Sequence, residues 1–202
     1  MVNNQYSIVE FHCHTSASKD SITPPKKLVE AAHRNGVTRL IITDHNTIAG
    51  ARDAQVFAPD FVIVGEEIMT TKGEILAAFV TDEIPAGLPP AEVIRQLRVQ
   101  GAFISVSHPF DSMRSGGWKE PDLLEILPLV DAIEVYNSRS MRPRFNHEAR
   151  KFAEKHNIPG TVGSDAHAAF EVGRSVLKLE PFEGPDGLRR VIRAGVQVTR
   201  WS

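Results

Sequence analysis

The amino-acid sequence predicts an α/β domain built on a mostly parallel β-sheet. Short apolar runs rich in valine and isoleucine alternate along the chain with longer segments whose apolar residues recur at helical spacing. This alternation is typical of strand–helix–strand units, which place their strands parallel in one sheet. At 202 residues, of which 42% are hydrophobic and 24% charged, the chain suits a single domain over residues 1–202 with a full core.

The strands are predicted from short apolar runs bounded by glycine, proline or polar turn residues. They fall at residues 7–13, 39–43, 61–64, 74–80, 102–106, 132–136, 160–162 and 175–179. Helices are predicted where apolar residues line one face, with proline favoured in the first turn and glycine or asparagine after the last. They fall between Pro24 and Gly36 and at residues 47–57, 90–100, 122–127, 143–157 and 186–194.

The overall composition excludes several classes of protein. The formal net charge of −2 does not favour binding to nucleic acid or to an anionic membrane surface. The polar start predicts no signal peptide, and no apolar run approaches the length of a membrane span. The single cysteine, Cys13, rules out an internal disulfide and fits a reducing compartment. We therefore expect a cytoplasmic protein.

Two histidines, His12 and His14, flank one residue at the end of the first predicted strand. Alternate residues of a strand point to the same face, so both imidazoles leave the strand in one direction, close enough to grip one ion. Cys13 lies between them and faces the other way, so we interpret it as a packing residue rather than a ligand. Taken alone, the pair is also explained by two surface histidines, and the interpretation depends on the rest of the chain.

Further imidazole and carboxylate groups follow other predicted strands. They are Asp44, His45, Glu66, Glu67, His108, Asp165 and His167, with Asp20 in the first loop and Glu134 and Asn137 at the sixth strand end. Because the carboxyl ends of parallel strands meet on one face, these side chains are expected to share a pocket. Imidazole with carboxylate suits Zn, Mn or Fe, and the number of groups exceeds the needs of one tetrahedral ion. We therefore predict two or three divalent ions, with a glutamate of the Glu66–Glu67 pair bridging them.

Six short motifs occur between about residue 8 and about residue 167. They are His12-x-His14-Thr15, Ser18-x-Asp20, Thr43-Asp44-His45, Gly65-x-Glu67, Ser107-His108-Pro109 and Gly163-Ser164-Asp165-x-His167. Each motif is weak alone, but their order resembles that of the polymerase and histidinol phosphatase (PHP) family. The resemblance implies a distorted (β/α)7 barrel with its active site at the C-terminal strand ends. It also implies a trinuclear metal centre and hydrolysis, most often of phosphate esters.

The resemblance also implies a ligand set, position by position. The first ion would be held by His12, His14, Glu67 and Asp165, the second by Glu67 and His108, and the third by Asp20, His45 and His167. Glu67 is preferred to Glu66 because the family pattern is Gly-x-Glu. Family members often add a histidine or cysteine near the sixth strand end. Here that end holds Glu134 and Asn137, so water or another neighbour would complete the second site.

The remaining candidates are expected to support the ligands or bind the substrate. Asp44 is interpreted as a support for a ligating imidazole rather than as a ligand. Arg114 and Arg139 are candidates for gripping a substrate phosphate, since guanidinium matches that geometry, or else they are surface arginines. Trp118 lies in a glycine-rich loop at residues 111–119, where it either covers a ligand or packs.

We therefore expect a metal-dependent hydrolase that cleaves a phosphoester by metal-activated water, with Asp165, His108 and Glu67 as its catalytic residues. The alternatives are a carboxylic or carbamate ester hydrolase on the same site, and a non-catalytic structural or regulatory subunit. Family members that hydrolyse nucleoside bisphosphates or short RNA ends carry a large insertion after the third-strand glutamate. Here only about forty residues separate Glu67 from His108, so the resemblance implies a minimal core with an open site. The expected partner is a small phosphorylated substrate, with nucleic acid only as a short substrate and no membrane. The sequence leaves the oligomeric state open and does not choose among zinc, manganese and iron.

Overall fold

A computed structural model describes residues 5–199, in which nine strands form one sheet that curves into a nearly closed barrel. The strands are β1 (Ser7–Glu10), β2 (Arg39–Ile42), β3 (Val62–Met69), β4 (Glu74–Ala78), β5 (Phe103–Val106), β6 (Ala132–Asn137), β7 (Gly160–Gly163), β8 (Ser175–Leu179) and β9 (Val196–Thr199). The signal-peptide prediction depends partly on residues 1–4, which lie outside the described residues, as do residues 200–202.

The strands follow the order β7-β6-β5-β4-β3-β2-β1-β8-β9 across the sheet. The pairs β1–β2, β2–β3, β5–β6 and β6–β7 are parallel, whereas β4 runs antiparallel to both of its neighbours. Strand β8 likewise runs antiparallel to β1 and β9. Every strand except β4 and β8 therefore has the same direction, which confirms the predicted α/β barrel with a mostly parallel sheet.

The barrel closes where the chain beyond β1 meets the chain beyond β7. Cys13 and Ala166 form a parallel bridge there, outside the regular strands. The backbone N–H of Asp165 donates to the carbonyl of His12 at 2.8 Å, and that of His14 donates to the carbonyl of Ala166 at 2.9 Å. The first predicted strand, at residues 7–13, is therefore divided into a regular strand and this closing segment.

Six α-helices connect the strands in the described part of the chain. They are α1 (Pro25–Arg34), α2 (Ala49–Phe57), α3 (Pro90–Val99), α4 (Glu120–Ile126), α5 (Pro143–His156) and α6 (Gly184–Val191), with short 3₁₀ turns at Leu127–Leu129 and Ile192–Ala194. Proline stands in the first turn of most of them, and left-handed Asn157 caps α5, as the sequence pattern indicates. Among residues 5–199, none of the helices combines the length and apolar character that crossing a bilayer requires.

Two apolar clusters fill the molecule. One lies between the sheet and the helices and includes Leu28 of α1, Leu97 of α3 and Cys13. The other fills the barrel, where Phe11 and Phe103 meet across the interior with ring centroids 6.4 Å apart. Helix α6 packs at the start of β5, opposite the strand ends that carry the polar groups, so those ends remain the open face of the barrel.

Candidate metal centre

His12 and His14 lie on the segment that closes the barrel, and both side chains are fully buried. Their Nε2 atoms are 3.1 Å apart, so both imidazoles point in one direction, as strand alternation predicts. Cys13 faces the other way: its Sγ lies 3.3 Å from the carbonyl oxygen of Ile41, and it belongs to the apolar core. The interpretation of Cys13 as a packing residue is confirmed.

Glu67 is the carboxylate around which the imidazoles gather. Its Oε2 lies 3.1 Å from Nε2 of His12 and 3.2 Å from Nδ1 of His45. Its Oε1 lies 3.3 Å from Nε2 of His108 and accepts a hydrogen bond from the Ser107 hydroxyl at 2.6 Å. One carboxylate with histidines at both oxygens has the placement that a bridging ligand requires.

Glu66 points away from this cluster. Its buried carboxylate accepts a hydrogen bond from the backbone N–H of Ile84 at 3.1 Å, and burial raises its pKa to about 8. Strand β3 continues through both glutamates because its second half pairs with antiparallel β4. The prediction that this strand ends at residue 64 is therefore wrong, but alternation along the longer strand still directs Glu67 and Glu66 to opposite faces.

Asp165 follows β7 in the left-handed backbone conformation, with φ of 52°. Its Oδ2 accepts hydrogen bonds from Arg114 Nη1 at 2.5 Å and from Asn137 Nδ2 at 3.1 Å. Its Oδ1 is buried without a hydrogen-bond partner among residues 5–199, and it lies 3.3 Å from Nε2 of His14 and 3.6 Å from Nε2 of His12. A buried carboxylate oxygen needs a partner, and a cation between it and the histidines would supply one.

A third group lies at the edge of the cluster. Oδ2 of Asp20 is 3.2 Å from Nε2 of His167 and 3.5 Å from Nε2 of His45. The ring of His167 is oriented by a 2.9 Å contact between its Nδ1 and the carbonyl oxygen of Asp165. Donor atoms of His14, His45 and His167 all lie within 4.8 Å of one another, close enough to share one ion.

Glu74 is a site residue that the sequence reasoning missed. Its buried carboxylate lies 3.4 Å from Nε2 of His108 and 3.8 Å from Nδ1 of His45. The donor atoms of His45, Glu67 and Glu74 lie within 4.8 Å of one another. The antiparallel direction of β4 brings its first residue to the face where parallel strands end. A lone glutamate opening an otherwise apolar strand was the available signal.

Glu134 and Asn137, whose roles the sequence left open, hold the ligands from behind. Oε1 of Glu134 lies 3.0 Å from Nδ1 of His12, and its Oε2 accepts from the backbone N–H of His108 at 2.9 Å. The amide of Asn137 donates to both Glu134 and Asp165, at 3.1 Å each. A carboxylate behind a ligating imidazole fixes its tautomer and raises its basicity.

Asp44 supports the site less directly than the sequence reasoning expects. Its Oδ1 accepts from the backbone N–H of Thr15 and from the hydroxyl of Ser18, both at 2.7 Å. The Ser18 hydroxyl lies 3.3 Å from Nδ1 of His14. Asp44 therefore acts on His14 through Ser18, and it ties the first loop to the end of β2.

The two arginines and Trp118 differ in their distance from the centre. Arg114 reaches the Asp165 carboxylate, whereas Arg139 lies at the rim, with Nη1 3.6 Å from Oε2 of Glu171. Trp118 is buried, and its indole N–H donates to the backbone carbonyl of Glu74 at 3.0 Å. Of the two roles considered for Trp118, the structure shows packing.

Electrostatics favour a cation at this cluster. Burial opposes ionisation of Glu67 and Asp165, but His12 and other cationic neighbours hold the pKa of both carboxyls well below their usual range. Burial lowers the pKa of His14, which favours the neutral imidazole that metal binding requires. Burial alone would lower the pKa of His12, yet Glu67 and Asp165 raise it well above its usual value. The field that attracts a proton to His12 also attracts a divalent cation in its place.

The fold and the cluster define a class of protein, a barrel whose open face carries a buried histidine–carboxylate centre. Comparison with known proteins narrows this class. The family model described as the PHP domain matches residues 10–79, and the family model described as PHP-associated matches residues 143–196. An uncharacterized protein of Methanocaldococcus jannaschii is 36% identical over 185 residues, which cover 89% of this chain and 74% of that protein. The chain belongs to the PHP family.

Two further similarities are more distant or more local. A two-domain protein of Bacteroides vulgatus, containing a predicted PHP-like metal-dependent phosphoesterase, has a solved structure that matches with a TM-score of 0.77 at 20% identity. The match covers 97% of this chain and 66% of that one, so it shows the fold over about two-thirds of that protein. A 5'-3' exoribonuclease of Haemophilus influenzae is 41% identical over 64 residues, 30% of this chain and 23% of that protein. Membership in the PHP family supports a metal-dependent hydrolase.

Proposed function

We propose that this protein is a metal-dependent hydrolase that cleaves phosphoesters of small phosphorylated molecules. The observation that carries the proposal is a cluster of five imidazoles, four of them at the carboxylate of Glu67 and the fifth packed against His14, with a guanidinium at its edge. They are His12, His14, His45, His108 and His167, together with Arg114. This combination provides cation ligands and an anion-binding group within one pocket.

The donor set fits two or three divalent cations. The first would be held by His12, His14, Glu67 and Asp165, the second by Glu67, His108 and Glu74, and the third by Asp20, His45 and His167. Imidazole with carboxylate is compatible with zinc, manganese and iron. When bound, such cations supply Lewis acidity and lower the pKa of a nearby water toward neutrality.

The residues of the chain contribute binding, orientation and proton control. Glu67 would hold two of the cations and Asp165 one of them, and each carboxylate is anchored by a hydrogen bond from the protein. Arg114 forms an ion pair with Asp165, and in this proposal it would also neutralise negative charge on a substrate phosphate. Arg139 pairs with Glu171 at the rim and is half-exposed, and in this proposal it would contact a more distant part of the substrate.

The position of Arg114 favours phosphate over carboxylic or carbamate esters. Neutral esters present no anion to grip, whereas a phosphoester dianion or monoanion matches a guanidinium. The local similarity to a 5'-3' exoribonuclease, 41% identity over 64 residues, supports a short nucleic acid as a second substrate candidate. The remaining alternative is that the protein is a non-catalytic structural or regulatory subunit of a separately encoded partner. A measurement of turnover distinguishes this alternative from a hydrolase.

The experiment compares hydrolysis of p-nitrophenyl phosphate, bis(p-nitrophenyl) phosphate and p-nitrophenyl acetate with added Mn²⁺. The variants are Asp165→Asn and, as a matched control, His147→Ala, an exposed histidine on α5. We expect Mn²⁺-dependent hydrolysis of a phosphoester that Asp165→Asn loses and His147→Ala keeps. Hydrolysis of the acetate alone would favour the ester alternative, and no metal-dependent turnover on any substrate would favour a non-catalytic role.

A further inference from the structure

One cation position in the proposed centre depends on Glu74, and this inference rests on the proposed function. The Glu74 carboxylate has 3.4 Å and 3.8 Å contacts to His108 and His45 and is 6% exposed. It comes from the only strand of the β3–β4–β5 group that runs antiparallel to its neighbours. The ends of the parallel strands therefore do not by themselves position the Glu74 carboxylate, as they position the other donors.

The additional support comes from the loop after β5, residues 107–118, which we name the Gly116 loop. The backbone N–H of Glu74 donates to the carbonyl of Gly116 at 3.1 Å. The carbonyl of Glu74 in turn accepts from the indole N–H of Trp118 at 3.0 Å and from the backbone N–H of Ser107 at 3.1 Å. Both backbone polar groups of Glu74 are thus bound by this one loop.

Gly116 also leaves the space that the Glu74 carboxylate fills. A Cβ atom at Gly116 would overlap the Oε2 and Cδ atoms of Glu74 and lie 2.8 Å from its Cγ. The backbone of Gly116 is not in the left-handed conformation, so a larger residue is excluded there by the carboxylate and not by backbone geometry. On the opposite side, a Cβ at Gly73 would lie 2.5 Å from the Trp118 ring, so the indole packs against bare backbone.

We propose that Gly116 and Trp118 are positioning residues that hold Glu74 as a donor to the second cation, beside His108 and Glu67. Gly116 provides space for the carboxylate, and Trp118 anchors the backbone that carries it. Because the end of a flexible side chain is what a Cβ at Gly116 meets, Gly116→Ala turns the carboxylate away while the loop keeps its fold. The occupancy of the cation position that Glu74 serves therefore depends on Gly116 and Trp118.

The test is a Mn²⁺ titration of metal-free protein, with free Mn²⁺ measured by electron paramagnetic resonance. The variants are Gly116→Ala, Glu74→Gln and, as a matched control, Ser115→Ala, which alters an exposed neighbour in the same loop. We expect Gly116→Ala and Glu74→Gln to weaken one bound equivalent by about 10- to 100-fold and to leave the others unchanged. Ser115→Ala should match the wild type. In the Glu74→Gln background, Gly116→Ala should cause no further loss.

Thermal melts of the metal-free variants check folding. If Gly116→Ala does not fold, the Mn²⁺ titration is made on Trp118→Phe instead. This variant keeps an aromatic ring against Gly73 but removes the indole N–H that donates to the Glu74 carbonyl. It should weaken the same equivalent several-fold, on the scale of a lost supporting contact. Wild-type Mn²⁺ binding in Glu74→Gln, or in the folded positioning variants, would overturn the inference. A wild-type protein that binds no Mn²⁺ would instead overturn the proposed function.

Discussion

The two carboxylate oxygens of Asp165 have different partners: one is bound by the protein and the other faces the proposed cation. Arg114 and Asn137 donate to Oδ2, which leaves Oδ1 buried and facing the histidines. This division explains why the short motif at the end of β7 needs partners from the end of β6 and from the loop after β5. A sequence motif identifies the carboxylate, but which oxygen is free depends on residues far away in the chain.

Replacing either of two central donors should abolish catalysis without unfolding the barrel. His12→Ala and Asp165→Ala each remove a side chain that leaves a strand end, so we expect kcat to fall by about two orders of magnitude or more. Steady-state hydrolysis of p-nitrophenyl phosphate with Mn²⁺, with far-ultraviolet circular dichroism as the folding check, measures this. Wild-type turnover in either variant would remove that residue from the proposed site.

The buried carboxyl of Glu66 should make stability depend on pH. Burial raises its pKa from 4.5 to about 8, so the folded protein binds this proton more tightly than the unfolded chain does. The free energy of unfolding should therefore be highest below about pH 4.5 with respect to this group, and should fall as the pH rises toward 8, by up to about 1.4 kcal/mol per pH unit.

Urea denaturation of metal-free wild type and Glu66→Gln between pH 5 and pH 8 isolates this contribution. Glutamine has the same shape and does not ionise. The free energy of unfolding of the wild type should therefore fall relative to that of Glu66→Gln as the pH rises. Parallel pH profiles for the two proteins would show that Glu66 does not titrate in this range.

At the scale of elements, the barrel depends on the contact between the chain ends of β1 and β7. Glu10 of β1 is fully buried and accepts from the backbone N–H groups of Ser164 and Gly173 at 2.9 Å each, and from that of His12 at 3.2 Å. It also accepts a hydrogen bond from the Ser164 hydroxyl. One carboxylate thus joins three segments beneath the candidate metal centre.

Glu10→Ala should destabilise the fold more than any exposed substitution on the sheet. It leaves several buried donors without an acceptor, which should cost about 2–4 kcal/mol in the free energy of unfolding. Glu180→Ala, at an exposed position directly after β8, is the matched control and should change it by less than about 0.5 kcal/mol. Equal urea midpoints for the two variants would contradict the role assigned to Glu10.

The elements that the sequence predicts well are those with a complete local signal. Strand β8 has the predicted bounds, and α5 begins at Pro143 and ends next to Asn157, within a residue of the prediction. Strand β9 at Val196–Thr199 was missed because it is short, partly exposed and held by its pairing with β8. The length of β3 was missed because pairing with the next strand, β4, sustains its second half through a hairpin that the prediction of a strand end at residue 64 did not include.

At the scale of the whole molecule, the order of six motifs was sufficient to predict the barrel and the gathering of eight candidate ligands. These residues meet because the closing segment and the carboxyl ends of parallel strands share one face. Glu74 and Glu134 could not be assigned in the same way. Glu74 reaches the face from an antiparallel strand, and Glu134 points inward from within β6, so their roles depend on the assembled barrel.

Cation binding should stabilise the whole fold. The proposed ligands come from β3, β4 and the loops after β1, β2, β5 and β7, so bound cations would link most of the barrel. Saturation of one site at a hundred times its Kd contributes about 2.7 kcal/mol, which should raise the Tm of a chain of this size by roughly 5–10 °C. Differential scanning fluorimetry with Mn²⁺, then with excess EDTA, measures this shift, and Asp165→Ala should show a smaller one. Identical melts with and without Mn²⁺ would count against a metal centre.

The most direct test of the central claim is anomalous diffraction from crystals of the wild-type protein grown with Mn²⁺. Difference maps from data collected on either side of the manganese absorption edge locate the ions without reference to activity. We predict two or three peaks at the open face of the barrel, one of them between Glu67, Asp165 and the His12–His14 pair. If crystals grown at a saturating Mn²⁺ concentration show no anomalous peak among these residues, the proposal that this cluster is a metal centre is contradicted.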